Sequence, residues 1–118
     1  MDEKERLLSL LGLARRAQKL SLGADAAAEA VRKGKCRLLL TAADLSPRSL
    51  RNARGTAEEY DTPAACAGVT MDEIGFALGK RTGILAVNDA GFANKLRAML
   101  AAQAMPEGTT EEVDSIDD

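Results

Sequence analysis

Two short runs of uninterrupted apolar residues constrain this chain more than any other feature. One is Leu38-Leu39-Leu40, within the stretch 37–42. The other is Ile84-Leu85-Ala86-Val87, opened by Gly83. Asp44 closes the first run and Asn88-Asp89 closes the second, so each is too short for a core helix. Neither alternates apolar with polar residues, which is the mark of a strand buried on both faces. A chain with such strands needs covering layers, and the segments around them have helical periodicity.

Leu7, Leu8, Leu11, Ala14 and Arg15 recur at helical spacing. Asp2, Glu3 and Glu5 stand near the start of that helix and Arg15, Arg16 and Lys19 near its end, each sign suited to the helix dipole. Leu20-Ser21-Leu22 reads as a short extended piece. Gly23 then opens an alanine-rich helix over 24–33 that closes at Gly34. Ser46-Pro47 supplies an N-cap hydroxyl and a proline at the first helical position, for a helix reaching about Tyr60. Thr62-Pro63 breaks the chain before a short strand over 64–67. Thr70-Met71-Asp72-Glu73 fits a capping box and opens a helix ending near Gly79. Asn88-Asp89 caps a last helix through Leu100. This alternation of helix and strand predicts an α/β fold, with the sheet held between helix layers.

The length of 118 residues suits one domain. Aromatic residues make up only 3%, so Leu, Ala, Val and Ile must build the interior. No run approaches the roughly 18 apolar residues of a membrane span. The mixed-charge start, Met1 to Arg6, lacks the pattern of a secretory signal, which points to a cytoplasmic protein with no membrane partner. The net charge of −2 hides an asymmetry. From Ala104 onward there are six acids and no bases; taking those six from the 18 acids leaves twelve against 16 bases, a net of +4 over 1–103. A mildly basic domain over 1–103 and an acidic tail over 104–118, of disordered composition, are therefore expected.

Chemistry is hard to find in this chain. It has no histidine, which removes the commonest general base and metal ligand. Cys36 and Cys66 are too few and too far apart for a disulfide framework or a zinc cluster, and both read as core packing. Gly75 to Lys80 has the wrong spacing for a phosphate-binding loop, and Arg81 stands where that loop needs a hydroxyl. The adjacent acids Glu58-Glu59 and Asp72-Glu73 point apart on their helices rather than converging. No enzymatic activity, cofactor or metal is expected. The basic residues carry more information: Arg15, Arg16 and Lys19; Arg32, Lys33, Lys35 and Arg37; Arg48, Arg51 and Arg54 at spacing three; Lys80 and Arg81; Lys95 and Arg97. Such a stripe is often just a solvated helix face, and nucleic-acid contact is the other reading. Scarce aromatics argue against a reader that stacks many bases.

Taken together, four stretches resemble a known family: 10–20, Leu-Leu-Gly-Leu-Ala-Arg-Arg-Ala-Gln-Lys-Leu, followed by Gly23; the Leu38–Leu40 strand; Ile74-Gly75 with Gly79-Lys80; and 88–96, Asn-Asp-Ala-Gly-Phe-Ala-Asn-Lys-Leu. They are similar to the kink-turn RNA-binding ribosomal-protein family of the seven-Ae type, in its bacterial YlxQ-like branch, over about residues 5–101. The resemblance implies a three-layer α/β/α sandwich around a mixed four-stranded sheet. It implies structured RNA as partner, ribosomal RNA or the ribosome foremost, and no DNA. It also implies a site in which the second helix points its start into a sharply bent RNA. Gly23 stands where backbone meets phosphate, with the dipole aimed at the anion.

The chain departs from the family's Gly-Thr-Asn-Glu-x-x-Lys pattern, since Asp25 replaces Asn, Ala26 replaces Glu and Glu29 replaces Lys. Losing one charge-assisted contact costs about 1.5–3 kcal/mol, which predicts weakened binding to a standard kink-turn. Lys80-Arg81-Thr82 occupies the loop that usually covers an extruded base with apolar residues, and Arg32 and Lys33 share a helix with Gly23. The expected contact set is therefore Gly23, Ala24, Asp25, Arg32, Lys33, Lys80 and Arg81, turned from base reading towards the RNA backbone. The alternative is a protein-interaction module that kept the fold and lost RNA affinity.

Overall fold

Four strands form one mixed sheet in the order β1-β4-β2-β3 in the computed structural model, which describes residues 2–104. They are β1 (Leu20–Leu22), β2 (Leu38–Thr41), β3 (Ala64–Cys66) and β4 (Ile84–Val87). The two apolar runs, β2 and β4, take the centre, pair antiparallel from Leu38↔Val87 to Thr41↔Ile84, and are buried at every position. Strand β1 pairs antiparallel with β4, and β3 pairs parallel with β2.

Because strand side chains alternate between faces, the central pair feeds two cores. Leu38, Leu40, Leu85 and Val87 meet α1 (Glu3–Arg16), α4 (Met71–Leu78) and α5 (Ala90–Ala104). Leu39, Ile84 and Ala86 meet α2 (Ala24–Arg32) and α3 (Pro47–Glu59). The second core is lined by Ala27, Ala30, Ala53 and Ala57, so the alanine-rich helices lie close to the sheet. The result is the three-layer α/β/α sandwich around a mixed four-stranded sheet. Leu40 is fully buried, and truncating such a leucine to alanine costs roughly 2–5 kcal/mol.

Helix starts follow the local chemistry of the sequence. Ser46 caps α3, Thr70 and Glu73 form the capping box of α4, and Asp89 accepts from the Phe92 amide at the start of α5. Asp2 and Glu5 make a second capping box on α1. Helices α1 and α4 are tied start to start by Lys4–Glu73 at 3.0 Å. They are tied end to end by Arg15, which donates to the Leu78 carbonyl. Arg15 thus serves the C-terminus of α4, where Gly79 turns left-handed at φ 85°.

Two expectations need correction. Cys36 is buried as expected, but Cys66 is exposed. It lies on the edge strand β3, and the layer of α2 and α3 is centred on β4 and β2. Helix α5 also continues past Leu100 to Ala104. The rest of the expected acidic tail lies outside the described residues.

Candidate nucleic-acid interface

One corner of the sandwich brings Lys80 to Gly23 at the start of α2, with Ala24 and Asp25 in the first turn of that helix and Arg81 next to Lys80 in the chain. The Gly23 amide donates to the Ile84 carbonyl at 2.9 Å, which fixes the turn to the beginning of β4. At φ 103° and ψ 158°, Gly23 then redirects the chain into α2. It is the N-cap of α2 and offers no side-chain acceptor, so the first amides of the helix keep their donors free of a cap. The Lys80 ammonium comes to 3.8 Å from where a Cβ on Gly23 would lie. Backbone donors, the positive end of a helix dipole and a lysine therefore face the same solvent.

Arg81 approaches the corner from α4. After Gly79 the chain doubles back along α4, and a Cβ on Gly75 would stand 3.0 Å from the Arg81 Cα. A side chain at 75 would push the loop outward by a few tenths of an ångström. Arg81 Nε donates to Asp72 Oδ1 at 2.6 Å. That hydrogen bond and the charge of Asp72 push the Arg81 pKa up, and the guanidinium faces a carboxylate of its own. Lys80 makes no ion pair among the described residues and is the open cation of the corner.

Phe76 completes this surface. It is 95% exposed, on the α4 strip shared by Asp72 and Gly75, along which Arg81 lies. Ile74 and Leu78, spaced i and i+4, are the buried pair of α4, and Phe76 midway between them is left on the opposite side. That spacing was the signal in the sequence for an aromatic facing solvent beside a basic loop.

The remaining candidates lie elsewhere. Helix α2 has nine residues, so Arg32 and Lys33 sit about 14 Å along its axis from Gly23, at the other end of the sheet. Lys33 pairs with Glu29 at 2.7 Å, and this hydrogen bond with its charge holds the Glu29 carboxyl below the usual carboxylate range. Glu29 thus has a cation of its own rather than an uncompensated charge. Asp25 stands in the first turn of α2, exposed, where it competes with any incoming anion for the helix dipole. Arg48, Arg51 and Arg54 are exposed along α3. Among the described residues no group of acids and cysteines is placed to hold a metal, and no helix is long and apolar enough to cross a membrane.

Fold and corner together define a small α/β/α binding domain whose open cation meets an uncapped helix start at a glycine. Residues 5–97 match the ribosomal protein L7Ae/L30e/S12e/Gadd45 family, and the chain belongs to it. Within it the chain falls in the YlxQ-like branch. It is 33% identical over 92 residues to the RNA-binding protein YlxQ of Bacillus subtilis (strain 168), covering 77% of this chain and 91% of that protein. A Bacillus halodurans C protein with unknown function superposes with a TM-score of 0.75 at 32% identity, over 80% of this chain and 96% of that one. The Giardia lamblia 15.5kD RNA binding protein shares the fold, with a TM-score of 0.68 at 20% identity over 89% of this chain and 92% of its own.

Proposed function

We propose that this protein binds structured RNA, without catalysis, through the corner of Gly23, Ala24, Asp25, Lys80 and Arg81. A bent segment of ribosomal RNA is its target and the cytoplasm its place of work. The observation that carries this is the Lys80 ammonium beside Gly23 at the uncapped start of α2. A phosphate there gains backbone donors, dipole and cation at once. The RNA-binding relative YlxQ supports the same reading. Asp25, Ala26 and Glu29 remove base-reading groups and add acid, so RNA shape outweighs the standard kink-turn sequence. Phe76 offers its open face to one unpaired base next to that phosphate.

The test is fluorescence anisotropy with a bulged RNA stem carrying tandem G·A pairs, read across a salt series. Lys80→Ala is expected to lower affinity and flatten the slope of log K against log salt by about one phosphate contact. Phe76→Ala is expected to cost about 1–3 kcal/mol of binding and leave the slope unchanged. Lys80→Glu binding the stem as well as wild type, or no binding by wild type in low salt, refutes the assignment.

A further inference from the structure

The end of the sheet opposite Gly23 carries a second basic feature. Gly23 is bonded to Ile84, the first residue of β4, whereas the Arg37 amide donates to the carbonyl of Val87, its last, at 2.7 Å. Beside Arg37 opens a cleft of about 430 Å3 whose lining includes Arg32, Arg37, Arg97, Tyr60, Asn94 and Asp61. Three arginines thus line it from three elements: the end of α2, the entry to β2 and the middle of α5. None of them makes an ion pair among the described residues. Against these charges the lining holds one carboxylate, Asp61, at the left-handed residue that closes α3, with φ 58°. Tyr60, 41% exposed, also lines the cleft.

Guanidiniums grip phosphate oxygens in bidentate fashion and stack on planar bases. The cleft volume lies in the range of sites that enclose small ligands. A lining in which three arginines, Asn94 and Tyr60 stand among small apolar residues such as Ala90, Ala93 and Pro63 suits a phosphodiester with its base better than it suits an apolar peptide. We propose that this cleft is a second RNA site, which takes an unpaired nucleotide and its phosphate while the Gly23 corner holds the bent segment. The protein then clamps two stretches of RNA at the two ends of its sheet. Arg32, which shares α2 with Gly23, belongs to this second grip. The inference rests on the RNA-binding reading above and adds a separate surface to it.

The full-length chain is titrated against two labelled probes, the bulged G·A stem and a single-stranded oligouridylate of about twelve nucleotides. The double variant Arg37→Ala/Arg97→Ala is expected to weaken the oligouridylate by at least about tenfold while the stem stays within about twofold. Lys80→Glu is expected to do the reverse. Arg37→Lys/Arg97→Lys is expected to keep the salt dependence of oligouridylate binding and lose part of its affinity, because ammonium groups retain the charge without the fork. All three variants change exposed side chains, and circular dichroism matching wild type certifies their folds. Oligouridylate binding that ignores the double alanine change overturns the second site. So does stem binding without any oligouridylate binding, which leaves the first corner standing. Failure of both probes overturns the RNA reading as a whole. Displacement of oligouridylate by polyglutamate of equal length also overturns the proposal, because the cleft would then be reading charge alone.

Discussion

Gly23 carries both the turn into α2 and the proposed RNA corner, and chirality separates the two roles. Its φ of 103° with ψ of 158° lies in a region of backbone space that is essentially restricted to glycine. An L-alanine at this position meets nothing nearer than Lys80 Nζ, at 3.8 Å. No steric clash is added, and the whole penalty is dihedral strain of about 1–3 kcal/mol. For a domain of this size each kcal/mol lowers Tm by about 4–8 °C. D-alanine places its methyl where glycine's other hydrogen stands, and the mirror image of this conformation borders the extended region that side chains adopt readily. It should match glycine or gain about 0.4–1 kcal/mol by narrowing the unfolded ensemble. The sequence makes the experiment practical, because Cys36 offers a ligation junction after Lys35 and places residue 23 in a synthetic peptide. Thermal unfolding followed by circular dichroism should rank D-alanine and glycine together and L-alanine well below them. Below its melting range the L-alanine protein should still bind RNA more weakly, since its methyl stands next to the Lys80 ammonium. L-alanine as stable as glycine, or D-alanine as damaging as L-alanine, would refute the claim that the dihedral requires glycine here.

Three further expectations test the surroundings of the site. Gly75→Ala gains roughly 1 kcal/mol of helix propensity but places a Cβ at 3.0 Å from the Arg81 backbone. Its Tm should stay near wild type while RNA affinity falls, and unchanged affinity would show that the loop position does not matter. Cys66 should react with a thiol reagent in the native state and Cys36 only on unfolding, because burial removes access to Cys36 and pushes its thiol pKa up. Mass spectrometry of the labelled protein would settle the order. The Thr70 backbone amide, then Lys4, hold the Glu73 carboxyl below the usual carboxylate range. A depressed carboxyl stabilises the fold above its unfolded value, about 4.3, and that stability is lost as pH falls through the folded value. Wild type should therefore exceed Glu73→Gln in Tm near neutrality, with the difference vanishing in acid; a difference that persists at the lowest pH would contradict this.

What could be read from the sequence was what short-range chemistry decides. Leu38–Leu40 and Ile84–Val87 announce doubly covered strands because no polar residue interrupts them, and Ser46, Thr70 and Asp89 announce helix starts because a side-chain oxygen there satisfies a bare amide. The order β1-β4-β2-β3 depends on which layer covers which strand, and no local pattern carries it. Cys66 shows the consequence, since Ala64-Ala65-Cys66 reads the same at an edge as at a centre, and its place on the edge strand leaves it exposed. The site divides along the same line. Gly23 and Lys80 lie 57 positions apart in the chain and meet through the β1–β4 pairing, a meeting that only the family resemblance anticipated. Arg32 is nine positions from Gly23 and shares its helix, yet a rise of about 1.5 Å per residue carries it to the far end of the sheet. The length of α2 thus separates these two residues, and the far end of the sheet groups Arg32 instead with Arg37 and Arg97. Basic residues of such a fold have to be grouped by the end of the sheet they reach, and for this chain that grouping yields two cationic surfaces instead of one.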